Sequence, residues 1–412
     1  MRSPAAAPGL GAAAPEDVGL SSAGLDRVDT AVRQKIDDGV LAGAVTLVAR
    51  HGKIVRTSAM GLDRRFPRTP MRTDTIFRIF SMTKPVTGLA MGILADEGRW
   101  QPEDPIAEYL PELRGLQVAD GFDERGRPIL ADPGHPPTMR ELLTHTAGFA
   151  YGWDKSDPLT SLYRKEKPLR AKDLGDLVAR VGRLPLAYRP GSSWRYSISM
   201  DLQGAIIERL SGQSLPDFFR ERIFEPLGMA DTAFHTPPGK RRRRAALYYT
   251  GGPFRLLRVP NPLGRDRSAP PAAALGGAGL VSTAGDYARF AQLLLNRGDW
   301  HGRRIVSAGA VTAQMTNQLP ESLLAKGFHA GHMDLRPGFG YGFNGAVFHD
   351  PTLAGAPVGR GTYQWDGAAG TWFWVDPEHD LLYVGMIQLL SYAAPPLQKI
   401  TQSLLADAIL DR

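Results

Sequence analysis

Residues 77–98 read FRIFSMTKPVTGLAMGILADEG. After Lys84 the apolar residues Val86, Leu89, Ala90, Ile93 and Leu94 recur at helical spacing, and Pro85 fits only in a first turn, so the pattern predicts a helix that begins near Ser81. At such a start the unpaired backbone N–H groups and the positive end of the helix dipole favour developing negative charge. An i, i+3 spacing sets the Lys84 amine beside the Ser81 hydroxyl, which pairs a nucleophile with a proton acceptor. An ordinary lysine, with a pKa of about 10.4, stays protonated at pH 7, so the pairing requires burial or a second cation. Phe77, Ile79 and Phe80 supply apolar surroundings. A capping serine followed by an exposed lysine gives the same tetrad, and on the order of one Ser-x-x-Lys is expected by chance in a chain this long. Ser81 to Lys84 is the only one in this sequence.

Outward from this stretch, the chain organises itself around both ends. Leu25, Val28, Val32 and Ile36 hold helical spacing after Ser21, and Gly39 stands where a C-cap belongs. GAVTLVARHGKIVRTSAMGL (43–62) reads as a hairpin turning at His51-Gly52. Near the other end, TYQWDGAAGTWFWVDPEHDLLYVGMIQLL (362–390) gives three strand-like runs broken at 367–370 and at Asp376-Pro377, followed by a helix carrying Leu397, Ile400, Leu404 and Ile409. The expected fold is α/β (α+β): one antiparallel sheet built from both chain ends and flanked by helices, with a helical region inserted between them. The expected boundaries are a flexible tail at 1–15, an α/β sandwich at 16–97 and 230–412, and a helical domain at 98–229.

Composition narrows the chemistry. The 412 residues include no cysteine, which excludes disulfides, thiolate zinc sites and a cysteine nucleophile. Prolines and glycines interrupt the alanines of MRSPAAAPGLGAAAPEDVGL, so no signal-peptide core forms, and no run of about 18 apolar residues predicts a membrane span. The cytoplasm is the expected location. The net charge of +7 is scattered except for KRRRR (240–244), a run read as a solvated loop because no aromatic interleaving or binding module accompanies it, so no nucleic-acid partner is expected. GYGFNG (340–345) satisfies a dinucleotide pattern formally but lacks the strand before and the helix after, and is expected to be a loop. No G-x-S-x-G or H-E-x-x-H occurs, which argues against an ordinary α/β-hydrolase and a zincin, and the nine histidines show no ligand spacing.

Three further blocks follow SMTK in order: LLTHTAGF (142–149), RPGSSWRYSISMDLQGAIIERLSGQSLPDFFRERIFEPLGMADTAF (189–234) and GGAGLVSTAGDYARFAQLLLN (276–296). With these, residues 20–405 resemble the class C-like branch of the serine β-lactamase and penicillin-binding-protein superfamily, and most of all the family VIII carboxylesterases. The resemblance implies an α/β sandwich with a helical domain and a site in the cleft between them. It implies that Tyr196, in Tyr-Ser-Ile, acts with Lys84 as a coupled acid–base pair, because a lone tyrosine titrates near 10. It places the third motif at Trp365-Asp366-Gly367 and makes the Ser81 and Ala368 backbone N–H groups the oxyanion donors. His145 lies in a family block and is expected to be structural.

Two departures from the family pattern bear on the substrate. Trp365 replaces a lysine that would hold a β-lactam carboxylate, and Ile198 replaces an asparagine that would orient an acyl amide. A neutral, fairly apolar ester is the expected small-molecule partner, with Trp365, Gly367 and Ile198 as candidate pocket residues from the motifs and Phe149, Tyr151, Trp153 and Trp372 as aromatic pocket candidates that could equally be core. The implied activity is that of a serine carboxylesterase working through an acyl-enzyme, a mechanism that requires neither a metal nor an organic cofactor. The alternatives are an acyltransferase of the same fold, weak β-lactamase or D-peptidase activity, and a catalytically silent binding protein. Acyl-chain length, stereoselectivity and oligomeric state are not determined by these residues.

Overall fold

The computed structural model describes residues 9–411 apart from 154–156, 252–255, 262–268, 326–327, 331–332, 336 and 392–393. Ser21 caps helix α1 (Ser22–Asp37) by accepting the Gly24 N–H at 3.2 Å, and Leu25, Val28 and Val32 form its buried stripe. Strands β1 (Gly43–Arg50) and β2 (Lys53–Arg64) pair antiparallel across His51-Gly52, whose positive φ values of 50° and 69° make the tight turn suited to twisted strands. The nucleophile segment then leads into helix α2 (Thr83–Asp96).

The middle of the chain is mainly helical. Helix α3 (Met139–Leu143) starts with a capping box in which Thr138 and Glu141 exchange hydrogen bonds, and helix α4 (Ser199–Ser211) ends at Gly212 in the left-handed region. A small hairpin, Val118–Phe122 with Pro128–Ala131, interrupts the helices. Helix α5 (Ala284–Leu295) returns the chain to the sheet, followed by β3 (Phe339–Tyr341), β4 (Ala346–Phe348), β5 (Tyr363–Asp366), β6 (Trp372–Asp376), β7 (Leu381–Met386) and helix α6 (Leu397–Ala406).

The sheet has the order β2-β1-β7-β6-β5-β4-β3, with each neighbouring pair antiparallel. β7 against β1 joins the two ends of the chain, as expected. Both faces are covered, and successive residues alternate between them: Val45, Leu47, Leu382 and Val384 enter the larger core with α2, α4 and α5, whereas Ala44, Val48, Leu381 and Tyr383 enter a second core with α1 and α6. The larger core runs without interruption from the sheet into the middle helices.

Two expectations change and a third gains detail. Residues 1–8 of the expected tail lie outside the described residues, but Gly11–Ala12 pairs parallel with Lys53–Ile54 at the β2 edge, because backbone groups at an edge accept a strand whatever its side chains. GYGFNG is a hairpin rather than a plain loop: Gly340 and Tyr341 belong to β3, and only the segment from Gly342 turns. KRRRR stays at the surface as expected: Lys240 to Arg243 lie in a 3-10 turn, Pro238–Arg243, that has no buried residue, and Lys240 and Arg243 pair with Asp231. Among the described residues, no helix is long and apolar enough to cross a membrane.

Candidate active site

Ser81 is held at a strained corner. Phe77–Arg78 pairs with Val281–Ser282, Phe80 takes φ +43°, and a 3-10 turn over Phe80–Met82 turns the chain into α2. A bulky residue in the left-handed region persists only where its surroundings fix it. Here the Tyr287 hydroxyl donates to the Met82 carbonyl at 2.8 Å, the Asn344 amide to that of Lys84 at 3.0 Å, and the Gln314 amide to that of Pro85 at 2.9 Å. The corner is therefore locked by α5, the β3–β4 turn and the segment before it.

Three predicted residues meet at one atom. The Lys84 amine donates to Ser81 Oγ at 3.1 Å and to the Gly277 carbonyl at 2.7 Å, and the Tyr196 hydroxyl donates to Ser81 Oγ at 2.6 Å. Lys84 Nζ also lies 4.5 Å from the Tyr196 ring centroid. Tyr196 reaches this point from the segment just before α4, which His145 holds in place. The His145 Nδ1 accepts the Ser197 N–H at 3.2 Å, and its carbonyl accepts the Arg195 N–H at 3.0 Å and the Tyr188 hydroxyl at 2.9 Å. Its ring lies 5.0 Å from that of Tyr196, and its own φ is +61°.

Burial sets the charges. Lys84 is fully enclosed, and loss of hydration pushes its amine down from 10.5 to about 7, although Asp201 and Asp366 pull it back up. The Tyr196 phenol is driven above its ordinary value by the same desolvation, opposed by the Ser81 hydrogen bond. Desolvation raises the Asp201 and Asp366 carboxyls to about 6 each, with Lys84 opposing both shifts. His145 is pushed well below the usual imidazole range, first by burial and then by Lys84. Lys84 is thus the group of this cluster able to change charge near neutrality while touching Ser81.

The two carboxylates are what sequence reasoning missed. Asp201 sits in the first turn of α4 and accepts the Gly277 N–H at 2.9 Å, so Gly277 carries the carboxylate on its N–H and the lysine on its carbonyl. Its sequence signal is a carboxylate five residues after Tyr196, at a helix N-terminus where negative charge is favoured. Asp366 is the middle residue of the third motif and gives no signal beyond that position.

Strand β5 comes to the nucleophile through Gly367. A Cβ there would lie 2.3 Å from the Ile79 carbonyl and 2.3 Å from Thr371 Oγ1, so only glycine lets the strand end pack two residues ahead of Ser81. The turn is closed by Gly367 and Thr371 at 2.7 Å and by Gly370 and Gly367 at 2.7 Å. Ala368 follows this contact at an exposed position, and among the described residues no protein acceptor takes the N–H of Ala368 or of Ser81.

The candidate pocket residues divide. The Trp365 ring lies 5.8 Å from that of Tyr196, Tyr151 lies 5.3 Å from it, and Trp153 lies 6.4 Å from it. The Trp365 indole N–H is near enough to lower the phenol's pKa but does not meet hydrogen-bond geometry. Trp372 is not in the site: its position in β6 faces the second core, where it stacks on Tyr383 and its indole donates to Thr401. Ile198 is completely enclosed at the start of α4, Phe149 is buried in the larger core, and Trp365, although its ring lies beside Tyr196, is only 1% exposed, so none of the three offers surface to a ligand.

The Beta-lactamase family model matches residues 28–407. Protein Rv1367c of Mycobacterium tuberculosis H37Rv is 35% identical over 376 residues, covering 88% of this chain and 90% of the relative. Esterase EstB of Burkholderia gladioli is 34% identical over 374 residues, covering 84% of this chain and 86% of the relative. Among solved structures, EstCE1, described as a hydrolase with promiscuous acyltransferase activity, superimposes with a TM-score of 0.75 at 27% identity, covering 94% of this chain and 98% of that one. The chain therefore belongs to the Beta-lactamase family, in its family VIII esterase-like branch of serine hydrolases.

Proposed function

We propose that the protein is a serine carboxylesterase acting on neutral esters through an acyl-enzyme at Ser81. The observation that carries this reading is the convergence of Lys84 and Tyr196 on Ser81 Oγ, at 3.1 and 2.6 Å, with the lysine poised to lose its proton near neutrality. Because burial keeps Tyr196 protonated, the neutral Lys84 amine is the member of the pair that takes the Ser81 proton as Oγ attacks the ester carbonyl carbon. The Ser81 and Ala368 N–H groups receive the developing oxyanion. The intermediate then collapses, the C–O bond to the alcohol breaks, and the proton passes from Lys84 through Tyr196 to the leaving oxygen. Water repeats the sequence on the acyl-enzyme and frees Ser81.

The charges favour a neutral substrate. Asp201 and Asp366 place two carboxyls around one lysine, and Trp365 stands where the family has a second cation, so a substrate carboxylate meets repulsion without a partner. Acyl transfer to an alcohol is the second reading, favoured by the likeness to EstCE1 and differing only in the acceptor of the second half-reaction.

Wild type and Ser81→Ala are compared on p-nitrophenyl butyrate and on a chromogenic cephalosporin, with intact-mass detection of an acyl adduct and product analysis with added alcohol. Ester turnover and an adduct that both vanish in the variant are expected, with little cephalosporin hydrolysis. A faster cephalosporin reaction would overturn the substrate argument, and the absence of any adduct would point to a silent binding protein. An ester product that grows with added alcohol would select the acyltransferase.

A further inference from the structure

Trp153 is an outlier among the tryptophans. Six of the seven are at most 7% exposed, whereas Trp153 is 57% exposed. A single exposed apolar side chain is ordinary by itself; this one stands beside the reaction centre, with its ring 6.4 Å from that of Tyr196. The ring is also held flat: it lies parallel to Tyr151, with centroids 4.0 Å apart and planes 3° apart. Tyr151 is itself fixed, 9% exposed, with its ring 5.4 Å from Lys84 Nζ and its hydroxyl beside the Asp201 carboxylate. Gly152 makes the stack possible. Its φ is +71°, and a Cβ would come within 2.2 Å of the Tyr163 Cβ, so neither the backbone conformation nor the space admits a larger residue.

One face of the indole is therefore covered by Tyr151, and among the described residues no second ring stacks on the indole, whose other face is left open. The Trp153 centroid lies 6.4 Å from that of Tyr196, whose hydroxyl touches Ser81. We propose that the open face of Trp153 is the docking platform for a flat, neutral aromatic group of the ester substrate, a reading that rests on the esterase function above. A ring offset on the indole gains stacking as well as burial, whereas a saturated ring of similar bulk gains the burial without the aromatic pairing. The two carboxylates around Lys84 disfavour an anionic aromatic acid, which leaves the neutral aryl ester as the fitting class. The aromatic ring can belong to the alcohol or to the acyl side.

Two matched pairs separate these sources: benzyl acetate against cyclohexylmethyl acetate for the alcohol side, and methyl phenylacetate against methyl cyclohexylacetate for the acyl side. Wild type is expected to prefer the aromatic member of one pair in kcat/KM. Trp153→Ala should reduce that preference by about 2-fold to 10-fold, mostly through KM, and Trp153→Phe should keep most of it. An aromatic-to-saturated ratio unchanged by Trp153→Ala in both pairs, with Ser81-dependent turnover intact, would overturn the platform. If wild type hydrolysed none of the four esters while still turning over p-nitrophenyl butyrate, the esterase reading would stand and the platform would be judged by binding to Ser81→Ala; loss of both would overturn the esterase reading itself. Saturation-transfer NMR should then show the aromatic member of one pair binding more tightly, with the difference lost in Ser81→Ala/Trp153→Ala. Equal binding of the members of both pairs would overturn it.

Discussion

Replacing Asp201 with asparagine tests the electrostatic core of the site. An unperturbed lysine at pH 7 is almost wholly protonated, whereas burial pushes the Lys84 amine down to about 7, where its neutral form becomes accessible. Asp201 holds that value up, because its carboxylate attracts the ammonium across Gly277. Both groups contact Gly277, the carboxylate its N–H at 2.9 Å and the amine its carbonyl at 2.7 Å, and a separation of about 6 Å serves for an order-of-magnitude figure. At an effective dielectric of about 20 this separation is worth about 3 kcal/mol, or about 2 pKa units. Asp201 is itself only partly ionised near pH 6, so the realised shift is smaller, between about one and two units. Asparagine keeps an oxygen for the Gly277 N–H and removes the charge. The rate should rise with pH as Lys84 loses its proton, and in Asp201→Asn this acid limb should move down by that amount, measured as kcat/KM on p-nitrophenyl butyrate from about pH 5 to pH 9. Stability follows the same linkage. The folded value of Lys84 lies below the unfolded one, so the folded state binds fewer protons between about 7 and 10.5, and this group's contribution makes stability rise with pH across that window. An acid limb that stays in place or moves up would refute the assignment of Lys84 as the titrating base.

Tyr196→Phe removes the 2.6 Å hydrogen bond to Ser81 and the proton relay while keeping the ring; kcat should fall by roughly 100-fold to 10,000-fold, and a near-normal kcat would remove Tyr196 from the mechanism. Gly367→Ala forces a Cβ to within 2.3 Å of the Ile79 carbonyl, displacing the strand end from Ser81, and a misplacement of about 1 Å is expected to cost about 100-fold in kcat with the circular dichroism spectrum retained. Unaltered turnover would show that the Ala368 N–H is not a donor to the oxyanion. Trp372→Leu should lower the thermal midpoint, because a buried ring is lost from the second core at a cost of about 1 to 3 kcal/mol. Its KM should not change, and a raised KM would return Trp372 to the pocket.

The sequence by itself determined the frame of the protein. Periodicity in α1, the His51-Gly52 turn and the runs around Gly367 to Gly370 are local signals, and they placed the sheet between the two chain ends because each depends only on neighbours along the chain. Ser81 and Lys84 were legible for the same reason: a spacing of three at a helix start fixes their separation. Tyr196 and the Gly367 strand needed the family blocks, since residues more than a hundred positions apart meet only through packing. The tertiary structure alone decided the rest. Burial, a property of the whole core, moved Lys84 to about 7, and the meeting of α4, Gly277 and β5 brought Asp201 and Asp366 around it. Strand alternation sent Trp372 to the far face and enclosure removed Ile198, while a left-handed glycine at 152 laid Trp153 open on Tyr151. Which side chain faces the cleft depends on sheet register and on neighbours distant in the chain, and these are fixed only when the core closes.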